Sequence, residues 1–480
     1  MATAVQCKTE RDTTARDSLF EKYKERIVQN GQFNRRLVSF QGNRKLPFYG
    51  WFKYKEGFSA DLVDRCVGEF HKESGVLLDP FCGTGTSLFV ARDMGWDGVG
   101  VEVLPVGCAV IEARLAAETV SAGSFRRAVD RIAGINWEDW FDEAYGISHA
   151  SITKGAFPEK TERCIAGFRA YCNKRLRSGE IRKLFELAGL AVLEDVSYTR
   201  KDGQYLRWDH RAGRSRGSKR FEKGKIQEFG CAITKKLLEI ARDLEERGKG
   251  QKSLFKPDMS AKRGAMDLRR GSCLDVLAGV PEKSIDLIVT SPPYCNRYDY
   301  TRSYALELVY LGHSGEEIKR LRQGMLSCTV ENRTKRAVLE RDYSRRGHRG
   351  AWERILDAFE KQAALHEVLE ILDDLGRRKE LNNGNIPNMI RNYFLEMCVT
   401  LYEMGRVLRK RGRIVMVNDN VRYAGEEIPV DLVLSDFAEE FDLSVDRIWV
   451  LERGKGNSSQ QMGVHGRTEL RKCVYVWNKR

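Results

Sequence analysis

The stretch GVLLDPFCGTGTSLFVARDMGWDGVGVEVLP, residues 75–105, decides the fold. Gly75–Pro80 is a short apolar run of the length of a buried strand. Phe81–Thr86 is a glycine-rich turn. Ser87–Met94 reads as a short helix stopped at Gly95, and Gly98–Val103 as a second buried strand carrying an acid, Glu102. Strand, turn, helix and strand in that succession predict a parallel, doubly wound sheet, because parallel neighbours need a crossover helix. Gly83 and Gly85 let the turn's backbone approach a ligand closely. A dinucleotide fingerprint would need a third glycine where Leu88 stands, so pyrophosphate cradling is disfavoured. A ligand with a ribose and no pyrophosphate fits better. Glu102, 17 residues after Gly85, is placed to accept hydrogen bonds from both ribose hydroxyls. Alone, the Gly-Thr-Gly turn reads equally well as a plain tight turn.

Further along, SIDLIVTSPPY runs a buried strand, Ile285–Thr290, into a loop of Ser291, Pro292, Pro293 and Tyr294. Two prolines stiffen that loop and remove two donors. The Ser291 hydroxyl and the Pro292 carbonyl are then preorganised acceptors, and Tyr294 offers a flat face for stacking. The plain alternative is a strand terminator. Other strands are expected at Gly271–Leu277, Gly412–Asp419, Ser444–Leu451 and Lys472–Trp477. Helical spacing recurs over Leu62–Phe70, Ile390–Leu408 and Val430–Phe441. The simplest organisation is one α/β domain split by two insertions. An arm (1–50) precedes core pieces at 51–110, 266–312 and 388–480, with mostly helical insertions at 111–265 and 313–387.

A chain of 480 residues can bury such a core without staples. Its twelve cysteines are scattered singly, without a CxxC pair or zinc-finger spacing to the seven histidines. Neither a disulfide framework nor a metal site is expected. The N-terminal MATAVQCKTERDTT lacks the apolar core of a signal peptide, and no long apolar run suggests a membrane span. A cytoplasmic setting is the expectation. The net charge of +14 is concentrated in residues 200–225 and 319–349, which carry net +7 each. A near-neutral scaffold with two basic patches suggests a polyanionic partner, most simply nucleic acid; two solvated basic loops are the bland reading. In the first patch, Arg200, Lys201, Arg207, Arg211, Arg214, Arg216, Lys219 and Arg220 alternate with Trp208 and other aromatics. Such a loop can track phosphates and insert rings at bases.

The DPFCGTGT turn, Glu102 and TSPPY together resemble the motifs of the amino-methylating DNA methyltransferases, the N4-cytosine/N6-adenine type. KEGFSADLV (Lys55–Val63) is similar to that family's N-terminal cofactor segment. GSCLDVLAGVPEKSIDLIVTSPPY (Gly271–Tyr294) is similar to its third and catalytic strands, and GRTELRKCVYVWNK (Gly466–Lys479) to its closing β-hairpin. The resemblance does not cover the two insertions. It implies a Rossmann-like methyltransferase sheet ending in a β-hairpin, and S-adenosylmethionine as cofactor. It also implies double-stranded DNA as substrate, with the target base flipped out of the helix. By the resemblance, Phe58, Ser59, Asp79, Phe81, Gly83, Thr84, Gly85, Thr86 and Glu102 hold the cofactor, and Ser291, Pro292, Pro293 and Tyr294 carry the catalytic work. Where the family often has an acid contacting the adenine, this chain has Ser272, and Asp275 is the candidate substitute.

In that family Ser-Pro-Pro-Tyr is typical of N4-cytosine enzymes, and Asp- or Asn-Pro-Pro of N6-adenine enzymes. The expectation is a site-specific cytosine-N4 methyltransferase, with a restriction endonuclease of the same site as functional partner. The alternatives are N6-adenine methylation, an RNA base-amino methyltransferase, and a DNA-binding protein with a relic core. Cytosine-C5 chemistry would need a thiolate after a proline. Cys82 and Cys295 instead follow Phe81 and Tyr294 and read as small buried residues.

Overall fold

Along Ile285–Thr290 every residue is buried, as a strand covered on both faces requires. A computed structural model describes residues 14–29, 34–70, 74–202, 206–214, 220–248, 263–451 and 470–480. The strands are β1 (Ile27–Gln29), β2 (Val76–Asp79), β3 (Asp97–Glu102), β4 (Thr199–Lys201), β5 (Leu206–Trp208), β6 (Met266–Arg270), β7 (Ile285–Thr290), β8 (Leu408–Asp419), β9 (Val421–Tyr423), β10 (Glu426–Ile428), β11 (Leu443–Val450) and β12 (Lys472–Lys479). Among the described residues, eight strands form one sheet in the order β1-β11-β12-β8-β7-β2-β3-β6. All neighbours are parallel except those of β12, which is antiparallel to β8 and to β11. The expected Rossmann-like sheet with a closing antiparallel pair is therefore present.

From β2 the chain moves outward to β3 and β6, then returns to β7 and moves the other way to β8. The order reverses between β2 and β7, and open α/β sheets bind ligands at the carboxyl ends of strands at such a switch. Side chains alternate between the two faces. Leu77, Leu287, Val289 and Val415 pack with the helices Ala60–Gly68 and Thr86–Asp93. Leu78, Ile288, Ile414 and Met416 pack with Ile386–Val407 and Val430–Glu440.

The first insertion builds a core of its own. Helices Ala122–Asp130, Glu159–Arg175, Gly179–Val196 and Phe229–Gly248 pack with Pro105–Thr119 and Ala305–Tyr310. Helices of the second, Arg336–Arg345, Arg349–Lys361 and Ala363–Arg377, extend the core around Ile386–Val407. The arm is built into the sheet: β1 pairs with β11, and Arg16 Nε lies 2.6 Å from Glu367 Oε1. Among the described residues, no helix is long and apolar enough to cross a membrane.

One strand expectation moves. Gly271–Leu277 is no strand. β6 occupies Met266–Arg270, and Cys273–Val276 is a helical turn that Ser272 begins. β6 is the sheet's edge and carries Asp267, Arg269 and Arg270, so its exposed side obscures the apolar pattern.

Candidate functional site

β2 ends at Asp79, and its carboxylate ties the two sequence motifs together. Oδ1 receives the Thr290 hydroxyl at 2.7 Å and the Phe81 N–H at 3.1 Å; Oδ2 receives the Ser87 hydroxyl at 2.5 Å. Burial pushes this carboxyl up to about 6, against the pull of those three donors. The turn behind it depends on glycine. Gly83 and Gly85 have φ of 54° and 77°, and a Cβ on Gly83 would come within 2.9 Å of the Tyr54 ring. Arg114, buried and with no carboxylate partner among the described residues, donates to the carbonyls of Thr84, Phe48 and Tyr49 at 2.6–3.0 Å, pinning the turn from beneath.

Glu102 closes β3 facing the same space. Its Oε1 accepts the Leu104 N–H at 2.6 Å, and burial pushes the carboxyl up to about 8. Opposite stands the loop after β7. Ser291 Oγ donates to the Val417 carbonyl at 3.1 Å and lies 3.4 Å from the Tyr294 hydroxyl. A hydroxyl has one proton and two lone pairs. With the proton directed at Val417, Ser291 presents its lone pairs outward as an acceptor.

A cleft joins these parts. Phe58, Asp79, Phe81, Gly83, Thr84, Thr86, Glu102, Ser272, Ser291 and Pro293 all line it, although they lie more than 230 positions apart in the chain at the extremes. Others of the expected residues are not among those lining it. Ser59 is buried and caps Ala60–Gly68 by accepting the Leu62 N–H at 3.3 Å. Gly85 shapes the turn, Pro292 is buried, and Tyr294 is half-buried beside Ser291. Asp275, the candidate substitute for the missing acid, lies outside the lining and within electrostatic reach of Asp342, Arg346 and Lys335. The cleft also has walls that sequence reasoning missed: Tyr54 and Glu56 before Phe58, Tyr300 after the loop, and Met325 with Leu326. Aromatic density in WFKYKEGF was the available signal. Cys82 and Cys295 are buried, and burial holds both thiols well above their ordinary range, which disfavours a thiolate nucleophile.

The first basic patch folds as the hairpin β4–β5, with Arg200 opposite Arg207. Both are exposed, and their guanidinium groups lie 5.4 and 4.6 Å from the Phe221 ring centre. Arg214 lies over Trp208 at 5.0 Å, and Arg220 is exposed. Arg211 is held by Asp209 at 2.7 and 3.0 Å. Lys201 departs from expectation. Alternation along β4 turns it inward, where its Nζ lies 2.6 Å from Glu307 Oε1 and 4.1 Å from the Tyr304 ring centre. Buried and paired, it is not available to a phosphate. Arg216 and Lys219 lie outside the described residues.

Comparison with known proteins bears on this geometry. Residues 9–112 match the family model described as DNA methylase, of the N6/N4 type. The type II methyltransferase M.AvaI of Nostoc sp. is 43% identical over 464 residues, covering 96% of this chain and 92% of that protein. The type II methyltransferase M.BsoBI of Geobacillus stearothermophilus is 38% identical over 473 residues, covering 96% and 91%.

Proposed function

The chain belongs to the amino-methylating DNA methylase family, and we propose that it methylates the exocyclic N4 amino group of cytosine in duplex DNA with S-adenosylmethionine as donor. One observation carries the proposal: Ser291, its proton directed at Val417, faces the same cleft as Glu102. The cleft residues suit this donor. Glu102 can take the ribose hydroxyls, the backbone at Gly83 leaves room beside the turn, and Phe58 and Phe81 offer aromatic faces to a sulfonium. When bound, that cofactor supplies an electrophilic methyl group.

The protein's own part is alignment. The target cytosine must leave the duplex to reach the cleft. Tyr294 stacks on the extruded base. Ser291 Oγ and the Pro292 carbonyl accept from its amino group, which draws the nitrogen lone pair out of ring conjugation and aims it at the methyl carbon. Little covalent work remains, and orientation supplies most of the rate. The exposed arginines of the β4–β5 hairpin grip phosphates beside the site, and the type II names of the relatives support a restriction endonuclease as functional partner. Sequencing DNA from cells that express the protein tests the proposal. N4-methylcytosine at one recurrent motif supports it; N6-methyladenine or unmodified DNA refutes it.

Glu102→Ala is expected to weaken cofactor binding by roughly 1.5–3 kcal/mol, the contribution of hydrogen bonds to a charged acceptor. Wild-type affinity should also depend on pH. Below about 8 the buried carboxyl holds a proton that the ribose hydroxyls displace, so affinity rises with pH and levels off above that value. Calorimetric titration at several pH values checks both, and the variant should lose the pH-dependent rise.

Replacing Arg200, Arg207, Arg214 and Arg220 by glutamine should flatten the salt dependence of DNA binding. The slope falls by about 0.9 for each phosphate that is no longer neutralised. Cofactor affinity should not change. An unaltered slope would make the hairpin a solvated loop.

A further inference from the structure

Acceptors that hold the target amino group cannot by themselves choose a base. Ser291 Oγ and the Pro292 carbonyl both accept, and cytosine and adenine each offer an exocyclic amino group beside a ring nitrogen. The two bases differ one position further along that edge, where cytosine has the O2 carbonyl and adenine a C–H. An extruded base is read on its Watson–Crick edge, so telling the two apart takes a donor at that position. Among the described residues, no lysine, arginine or histidine lines the cleft itself. A cation does stand beside the loop. Lys472, the first residue of β12, lies opposite Asp419, the last of β8. Its Nζ is 2.7 Å from Asp419 Oδ2. Among the described residues, that carboxylate is the one ion-pair partner of the ammonium.

We propose that Lys472 donates to the O2 carbonyl of the extruded cytosine and so selects cytosine over adenine. The inference rests on the reading of the Ser291–Tyr294 loop as the N4 methylation site. β8 runs beside β7, and Ser291 is the residue after β7. Val417, whose carbonyl takes the Ser291 proton, comes two residues before Asp419, so the carboxylate follows about 7 Å further along the same strand. The Tyr294 hydroxyl lies 3.4 Å from Ser291 Oγ. Burial, then Asp419, raises the Tyr294 phenol, so the carboxylate acts on the very ring assigned to stack on the base. Arg35 is within electrostatic reach of the same carboxylate. Backbone donors at this end of the sheet are engaged: the Asp419 N–H meets Asn418 Oδ1 at 2.9 Å, and the Asn420 N–H meets the Arg471 carbonyl at 3.0 Å. An ammonium has three donors, and Asp419 takes one. The Lys472 and Asp419 side chains are 39% and 21% exposed, so the ammonium is held in place and still open to a ligand. A site that donates to a carbonyl rejects a base with a C–H there, because the donor is left without its partner.

Single-turnover methylation by the full chain compares two duplexes that carry the motif recovered by sequencing. One has cytosine at the target position. The other has the 2-aminopyridine C-nucleoside, which keeps the amino group and the ring nitrogen and has a C–H in place of the O2 carbonyl. Lys472→Met keeps the stem of the side chain and removes its donors. It is expected to slow reaction on cytosine about 10- to 100-fold and on the analogue by no more than about twofold. Equal slowing on both duplexes would make Lys472 a brace for Asp419, and no slowing would put the reading donor elsewhere; either overturns the proposal. A second comparison needs only wild type. Cytosine should react at least about 10-fold faster than the analogue, and equal rates overturn the proposal. Failure of the underlying N4 reading looks different: wild type would leave cytosine in that motif unmethylated, whatever the residue at position 472.

Discussion

Ser291→Ala is expected to slow methyl transfer about 10- to 100-fold while duplex binding stays within about twofold of wild type. The target nitrogen is a weak nucleophile because its lone pair is conjugated with the ring. Acceptors that hold its two hydrogens out of plane weaken that conjugation, and a hydrogen bond to a group developing charge contributes roughly 1.5–3 kcal/mol. Ser291 can fill that role because its own proton is directed at the Val417 carbonyl at 3.1 Å. The variant keeps the Pro292 carbonyl, so activity falls without vanishing. Tyr294→Ala should fail differently. It removes the stacking face, which costs about 1–3 kcal/mol per base by analogy with single-strand binders. A cytosine set in a mismatch leaves the stack more cheaply, so it should partly rescue Tyr294→Ala and leave Ser291→Ala slow. Single-turnover methylation of matched and mismatched duplexes measures both. Equal rescue of the two variants would refute the assigned roles.

Lys201→Ala is expected to destabilise the fold by about 3–5 kcal/mol, the usual cost of stripping one partner from a buried ion pair. The side chains of Lys201 and Glu307 are only 5% and 1% exposed, and the pair is 2.6 Å apart. Burial already raises the Glu307 carboxyl, and Lys201 is what lowers it again. Without the lysine, Glu307 must take up a proton or carry an unpaired charge. Replacing both residues by apolar ones of similar volume should recover most of the loss. Urea unfolding of the single and double variants decides this. A single variant as stable as wild type would mean that the lysine is exposed and belongs to the DNA-facing set.

The parallel sheet was legible because its central strands are covered on both faces and therefore read as unbroken apolar runs. Ile285–Thr290 matches residue for residue, and β2 and β3 differ from expectation by one residue at each end. β1 was missed because an edge strand of three residues is too short to show a period, and β6 because its edge position carries charge. The cleft's halves were legible as motifs, since glycine at positive φ and proline beside a strand are local demands on the backbone. Tyr54, Glu56, Tyr300, Met325 and Leu326 were not. Tyr300, Met325 and Leu326 reach the cleft through tertiary packing that nothing in their own neighbourhood of the chain records, whereas for Tyr54 and Glu56 the aromatic density of WFKYKEGF was the available signal. Lys201 shows the opposite error. Its place in a basic run suggested solvent, whereas the two-residue period of β4 sent it inward.

The measurement that bears most directly on the central claim is the identity of the methylated nucleoside. Purified protein, duplex DNA and S-adenosylmethionine with an isotopically labelled methyl group are incubated, and the DNA is digested for mass spectrometry. The account predicts label in N4-methylcytosine, at a rate that falls about 10- to 100-fold in Ser291→Ala. Label in N6-methyladenine, in 5-methylcytosine or in no nucleoside would contradict it.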